Sequence, residues 1–134
     1  MIKIILFPSL MLIVLEMGLA HKQSYYKAVV NNDVVTLTTY SASKKETDGS
    51  PNITACGFKI DTLNPRKHKI IAISRDLKKK WKFNSRIRVS NAGRYNGVYV
   101  VKDVMNKRWV KRVDILIRPT DQQTKLYNVI LTKL

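Results

Sequence analysis

Two aspartates of this sequence lie inside runs of apolar residues, a setting that favours carboxyl chemistry. Asp103 ends the run VYVVKD, and Asp114 lies within VDILI. Apolar neighbours keep water away from a carboxyl group, and this desolvation raises its pKa. A carboxyl with a raised pKa can act as a general acid near neutral pH. The two residues are therefore candidates for acid–base catalysis. The alternative is that they accept structural hydrogen bonds, since structural networks also perturb pKa values.

Other catalytic chemistries find little support in the residue types. The single cysteine, Cys56, excludes an intramolecular disulfide framework and a multi-cysteine zinc site. The two histidines, His21 and His68, lack the paired spacing of a zinc hydrolase. Cys56 followed by His68 could form a nucleophile and base, but a buried small side chain is the favoured interpretation of a lone cysteine. We therefore expect no metal ion and no cofactor.

The charge of the chain points to an anionic partner. Lysine and arginine number 25 against 9 acids, which gives a net charge of +16 and a pI near 10.2. Such a field favours nucleic acid, an anionic membrane or an acidic cell-wall polymer. Two basic runs, KKKWK at 78–82 and KRWVKR at 107–112, each enclose a tryptophan. They predict either a surface that binds anionic polymers or a solvated face whose tryptophans belong partly to the core.

Residues 1–20 have the pattern of a secretory signal peptide. Lys3 precedes an apolar stretch, and Gly18 and Ala20 place small residues before a cleavage site. The alternatives are an uncleaved membrane anchor, for which the stretch is short and contains Glu16, and a buried core segment. The sequence thus predicts a mature domain over 21–134 that is secreted, periplasmic or held in the cell envelope. Export makes a nucleic-acid partner unexpected.

The rest of the chain has the signals of an all-β domain. Short β-branched or alternating runs are separated by turn residues, which is typical of a small barrel or sandwich. Thr120 to Leu126 is predicted to form one or two helical turns with Thr120 as the N-cap. The polar segment 41–52 is predicted to be a long surface loop of the kind that carries function. Strands are predicted over residues 34–40, 58–60, 69–74, 86–90, 95–103, 113–117 and 128–134.

Three blocks of the sequence resemble, in order, the motifs of the three-aspartate (3D) domain family. They are TTYSASKKETDGSPNITACG at 38–57, IAISRDLKKKWKFNSRIRV at 71–89 and GVYVVKDVMNKRWVKRVDILI at 97–117. The resemblance covers about residues 36–134. It implies a six-stranded double-psi β-barrel with one or two short helices, as in rare lipoprotein A and the expansins. The segment MNKRWVKR replaces a stretch that is often glycine-rich in the family, which implies a different groove rim.

The resemblance also implies roles for individual residues. Asp48, Asp103 and Asp114 match the three aspartates, and the separation of the last two resembles that in membrane-bound lytic transglycosylase A. Asp114 then matches the catalytic acid, Asp103 lines the same groove, and Asp48 contacts substrate. Tyr40 and Thr54, in the first block, are predicted to bind substrate. Tyr40 would stack on a sugar ring, or it is instead a barrel side chain.

The implied activity is lytic transglycosylation of bacterial peptidoglycan, with glycan strands and anionic cell-wall polymers as partners. One carboxyl group protonates the oxygen of the β-1,4 bond and then accepts a proton from the muramic C6 hydroxyl, which closes a 1,6-anhydro ring. A glycoside hydrolase would need two carboxylates. The main alternative is a non-catalytic, expansin-like glycan-binding module, and a third is a basic nucleic-acid-binding barrel. A membrane contact is expected only if residues 1–20 stay attached.

Overall fold

The computed structural model describes residues 18–23, 32–43 and 50–134, and the chain divides into units of residues 1–32 and 33–134. In the first unit, residues 19–23 form one short helical segment, where the Lys22 N–H donates to the Gly18 carbonyl (3.0 Å). Within the described ranges, no helix has the length and apolar character to cross a bilayer. Residues 1–17 lie outside the described ranges, so the signal peptide stays a prediction.

Six strands close into a barrel. Their bounds are β1 Asn32–Ser41, β2 Ile70–Ile73, β3 Arg86–Ser90, β4 Gly97–Val104, β5 Arg112–Ile117 and β6 Lys125–Lys133. Around the ring the order is β1-β5-β2-β4-β3-β6. β1 pairs with β5 and β2 with β4 in parallel, whereas β2–β5, β3–β4 and β3–β6 are antiparallel. The predicted all-β, six-stranded closed barrel with very little helix is confirmed.

Alternation of side chains builds the barrel interior, because successive residues of a strand face opposite sides. In β3 the arginines at 86 and 88 are exposed while Ile87 and Val89 are buried, as the sequence pattern predicts. Leu37, Ile71 and Val113 contribute fully buried side chains from three other strands. Removing this apolar surface from water is the main stabilising contribution to the fold.

Trp81 belongs to this interior. Its side chain is fully buried, and its indole N–H donates to Asp33 at 2.8 Å. A buried indole N–H needs such an acceptor, because an unmade hydrogen bond in the core is costly. The first basic run therefore has its tryptophan in the core and only its lysines near the surface.

A second apolar cluster lies on the outer face of the β1-β5-β2-β4 wall. Ile70 and Ala72 of β2 face outward there, because Ile71 and Ile73 face the interior. The segment that precedes β2 covers this face with Ile60 and Phe58. Within that segment Ile53 and Lys59 form a single bridge, so the short strand predicted at 58–60 is reduced to one pair. The cluster contains Tyr40, Ile60, Ile70, Ala72, Met105 and Leu116, with Ala42, Phe58 and Trp109 packed against it.

The helical turns predicted for Thr120 to Leu126 are wrong. Residues 118–121 form a β-turn in which the Asp121 N–H donates to the Arg118 carbonyl (3.0 Å). The Asp121 carboxylate accepts the Arg118 N–H in return (2.8 Å). Pro119 occupies the second position of this turn, where its fixed φ is favourable. The turn chemistry outweighs the N-cap signal of Thr120, and β6 starts soon afterwards, at Lys125.

Candidate active site

The two candidate acids lie in one row across the outer face of the barrel. Ala72 of β2 pairs with Asp103 of β4 on one side and with Asp114 of β5 on the other. Thr38 of β1 pairs with Asp114 and extends the row by one strand. Neighbouring strands lie about 4.8 Å apart, which puts the Cα atoms of the two aspartates about 10 Å apart. The fold thus brings together two residues that the sequence singled out separately.

A register shift places Asp103 in that row. Between β2 and β4 the pairing moves from Ile71 with Val101 to Ala72 with Asp103, so Lys102 is the extra residue. A β-bulge of this kind re-aims the side chains that follow it. In an unshifted ladder Lys102 would pair with Ala72, and the row would hold a lysine beside its acid.

The Asp103 carboxylate has both oxygens engaged. Oδ1 accepts the backbone N–H groups of Ala55 and Val104, each at 2.9 Å, and Oδ2 accepts the Tyr40 hydroxyl at 3.2 Å. Desolvation raises the pKa of Asp103, although these three hydrogen bonds oppose the rise. Bonds on both oxygens fix the orientation of the carboxylate beside Ala72.

Tyr40 interacts with both acids, through a hydrogen bond to Asp103 and through the charge of Asp114. Burial first of all, and then the negative charges of Asp103 and Asp114, raise its pKa well above the ordinary value. The phenol therefore stays neutral and remains a hydrogen-bond donor. Its residue exposure is only 8%, which favours the interpretation of Tyr40 as a barrel side chain over stacking on a sugar ring.

Asp114 lies on β5 between two apolar residues that face the barrel interior. The residue as a whole is half-buried, and its Oδ1 atom is shielded from solvent. Val113 and Ile115 point into the barrel interior on either side of it. Across the strand pair, the Thr38 hydroxyl donates to the Val113 carbonyl (3.4 Å) and holds β1 against β5 at this point. A partly accessible carboxyl in such a setting is suited to proton transfer.

The TACG turn at residues 54–57 supports the row from outside. The Thr54 hydroxyl accepts the Phe58 N–H at 3.1 Å and contacts the Cys56 thiol at 3.4 Å. Gly57 adopts φ +82°, a conformation that glycine permits without strain. The turn presents the Ala55 N–H to Asp103. Thr54 is buried, so the structure assigns its hydroxyl to shaping this turn.

Three other residues named by the sequence lie elsewhere or outside the description. Asp48 falls in the segment 44–49, outside the described residues. His68 is half-buried: its Nε2 accepts the Asp61 N–H (3.1 Å), and its ring meets Phe58 edge-on at 5.0 Å. The Cys56 thiol contacts Thr54, so neither residue shows a nucleophile–base contact. In the described part of the chain, no group of three His, Cys, Asp or Glu side chains could hold a metal ion.

Sequence reasoning missed two components of the site. The Ala55 donor is a backbone group, and Ala72 is a small residue whose importance comes only from its place between the acids. The tight TACG turn was the available signal for the first, whereas the second had none.

Neither a scan against protein-family models nor a search of curated proteins finds a counterpart of this chain.

Proposed function

We propose that the protein is a peptidoglycan-cleaving lytic transglycosylase of the cell envelope, in which Asp114 is the acid and base. One observation carries the proposal: Asp114 and Asp103 share a row on an outer barrel face that is partly shielded from water. The resemblance of the three sequence blocks to the 3D domain adds the substrate class.

The proposed reaction needs one proton-transfer group. Asp114, in its protonated form, donates to the glycosidic oxygen as the C1–O bond breaks. The resulting carboxylate takes the proton from the muramic C6 hydroxyl while that oxygen bonds to C1. One C1–O bond breaks and another forms, so the step balances, and Asp114 regains its proton. Asp114 is preferred to Asp103 for this role because the resemblance to the 3D domain matches Asp114 to the catalytic acid.

Asp103 and Tyr40 act as positioning residues in this proposal. Tyr40 donates to Asp103 and lies close enough to both acids for their charges to affect its own pKa. A fixed negative charge nearby disfavours ionisation of a second carboxyl group. Asp103 would thus help to keep a proton available on Asp114.

The glycan-binding alternative also has an observation in its favour. The hydrogen bonds on Asp103 connect the 54–57 turn to β4 and β1, which is what a purely structural carboxylate does. In an expansin-like module the row would shape a binding face without cleaving the glycan. The net charge of +16 supports attraction to anionic cell-wall polymers under both proposals.

Product analysis decides between these proposals. Purified sacculi are incubated with the full chain, with Asp114→Asn and with Asp76→Asn, and the soluble products are identified by mass spectrometry. Asp76 is a matched control because it is an aspartate whose Oδ2 accepts the Lys111 N–H. Anhydro-muropeptides from the wild type and Asp76→Asn alone would support the proposal. Reducing-end products would indicate a hydrolase. Binding to sacculi without any soluble product would favour the binding module.

A further inference from the structure

Two arginine guanidinium groups form a cation–π stack on the ring of Trp109, beside the acid row. The Arg112 guanidinium carbon lies 3.8 Å from the centroid of the Trp109 ring, and that of Arg108 lies 4.8 Å away. Stacking uses the flat face of a guanidinium and leaves the N–H donors at its edge available. The stack is held by Asn106, which accepts the Arg108 N–H on its side chain (3.1 Å) and the Trp109 N–H on its carbonyl (3.0 Å).

The stack belongs to the same face as the acids. Trp109 packs against the second apolar cluster, which contains Tyr40. Arg112 and Asp114 are two residues apart on β5, so they face the same side and their Cα atoms lie about 7 Å apart. The distance from Asp114 to the stack is therefore about the length of one sugar ring, so a ligand bound at Asp114 could also contact the stack.

Four other basic residues have acidic partners, which Arg108 and Arg112 lack in the described part of the chain. Arg66, Lys67, Lys80 and Arg118 form ion pairs with aspartates. Within residues 18–23, 32–43 and 50–134, no acid forms an ion pair with Arg108 or Arg112. Two guanidinium groups fixed on one ring, with no carboxylate from the described chain, are suited to an anion supplied by a ligand.

We propose that Arg108, Trp109 and Arg112 form a subsite for an anionic group, a carboxylate or a phosphate, carried by the polymer whose backbone lies at the acid row. The inference rests on the proposed function for the identity of that polymer. Paired guanidinium edges bind the planar oxygens of a carboxylate or those of a phosphate in a bidentate manner. The subsite would set which repeat unit of the polymer is presented to Asp114.

The test measures binding, so it does not depend on cleavage. All proteins carry Asp114→Asn. One also carries Arg108→Gln and Arg112→Gln, and a control carries Arg86→Gln and Arg88→Gln, which removes the same charge from exposed positions on β3. Binding to sacculi is measured by pelleting across a salt series. Parallel sacculi have amidated carboxyl groups, or have been stripped of phosphate polymers, to identify the anion.

We expect the Arg108/Arg112 pair to weaken binding about tenfold or more, and the control pair about threefold or less, in line with charge-assisted hydrogen bonds against surface charge. Amidation should abolish the difference if the anion is a carboxylate, and phosphate stripping should do so if it is a phosphate. Equal losses for the two pairs would overturn the inference in favour of general charge attraction. So would a difference that survives both treatments.

Folding and function are controlled separately. An Arg108→Lys and Arg112→Lys variant keeps the charge and loses the planar fork, so the subsite predicts weakened binding in a folded protein. Full binding by this variant would contradict bidentate recognition. If the wild type releases no product while the arginine pairs still differ, the proposed cleavage fails and the anion subsite stands.

Discussion

The described aspartates occupy two different environments. Four of them contact basic residues: Asp121, for example, forms an ion pair with Arg66 at 2.6 Å and another with Arg118 at 3.1 Å. The hydrogen bond from Lys67 is the largest of the effects that hold the pKa of Asp61 below its ordinary value. Desolvation raises the pKa of Asp121, but hydrogen bonds from Arg118 and Arg66 outweigh it and lower the pKa. The four are Asp33, Asp61, Asp76 and Asp121.

Asp103 is held in the opposite way. Its donors are Tyr40 and two backbone N–H groups, and desolvation leaves its pKa raised. In a chain with a net charge of +16, a lysine or arginine partner would be easy to supply. The register shift that turns Lys102 away from Ala72 instead keeps a cation out of the row. The comparison teaches that the first group of acids is held by basic residues, whereas Asp103 is held by uncharged donors in a desolvated place.

The largest expected effect is on the rate of the proposed cleavage, and it separates the aspartates of the row from those that contact basic residues. Under the proposed function, Asp114→Asn should slow the release of anhydro-muropeptides by about 10²- to 10⁴-fold, the usual contribution of a general acid. Asp76→Asn should leave the rate within about twofold, since Asp76 lies outside the row and asparagine keeps an oxygen acceptor for the Lys111 N–H. Initial rates on labelled sacculi measure both. Similar losses from the two substitutions would remove the functional distinction.

The next effect concerns stability. Asp33→Ala should lower the free energy of unfolding by about 1–3 kcal/mol, because the buried Trp81 indole N–H then lacks its acceptor. Urea denaturation followed by tryptophan fluorescence measures the change. Asp33→Asn keeps an oxygen acceptor and should cost less. A change below about 0.5 kcal/mol for the alanine variant, the range of neutral surface substitutions, would contradict the structural role.

Tyr40→Phe should have a smaller effect on stability, a loss of about 0.5–1.5 kcal/mol for one hydrogen bond. It should also raise the pKa of Asp103 further, because in the wild type the hydrogen bond from the Tyr40 hydroxyl lowers that pKa. Carboxyl ¹³C shifts measured against pH in both proteins would show it. An unchanged or lowered pKa would mean that the hydroxyl does not bond to Asp103 in solution.

The smallest effect is the pH dependence of stability. A raised pKa means that the folded state holds the Asp103 proton more tightly, so wild-type stability falls as pH rises through that pKa. Asp103→Asn lacks this loss, so its stability relative to wild type should improve from acid to neutral pH. Asp121 has a lowered pKa, and its contribution is present above the ordinary aspartate pKa and disappears in acid. Asp121→Asn should therefore lose stability at neutral pH only.

Thermal unfolding of both variants and the wild type, from about pH 2 to pH 7, tests these opposite slopes around the ordinary aspartate pKa near 3.9. Parallel slopes for the two variants would show that Asp103 and Asp121 do not differ as described.

Local patterns predict much of this fold. β3 coincides with the alternating run at 86–90, and the apolar runs around Ile71 and Ile115 become β2 and β5. The same apolar neighbours single out Asp114, of which the Oδ1 atom is shielded from solvent. These features depend on residues close in sequence, where side-chain periodicity is informative.

The sequence could not predict the features that depend on strand register. The Tyr40–Asp103 hydrogen bond joins residues 63 positions apart, and the bulge at Lys102 follows from pairing with β2. The strand order β1-β5-β2-β4-β3-β6 likewise has no local signal. At residues 118–121 two local signals competed, and the Pro119 β-turn prevailed over the Thr120 N-cap.

The row of Thr38, Asp114, Ala72 and Asp103 takes one residue from each of four strands that are far apart in sequence. β5 lies between β1 and β2, so both acids reach their places only after the last third of the chain has inserted between earlier strands. Non-local pairing of this kind makes folding slow. A chain truncated before β5 would lack Asp114, and it would leave β1 and β2 without the strand that lies between them.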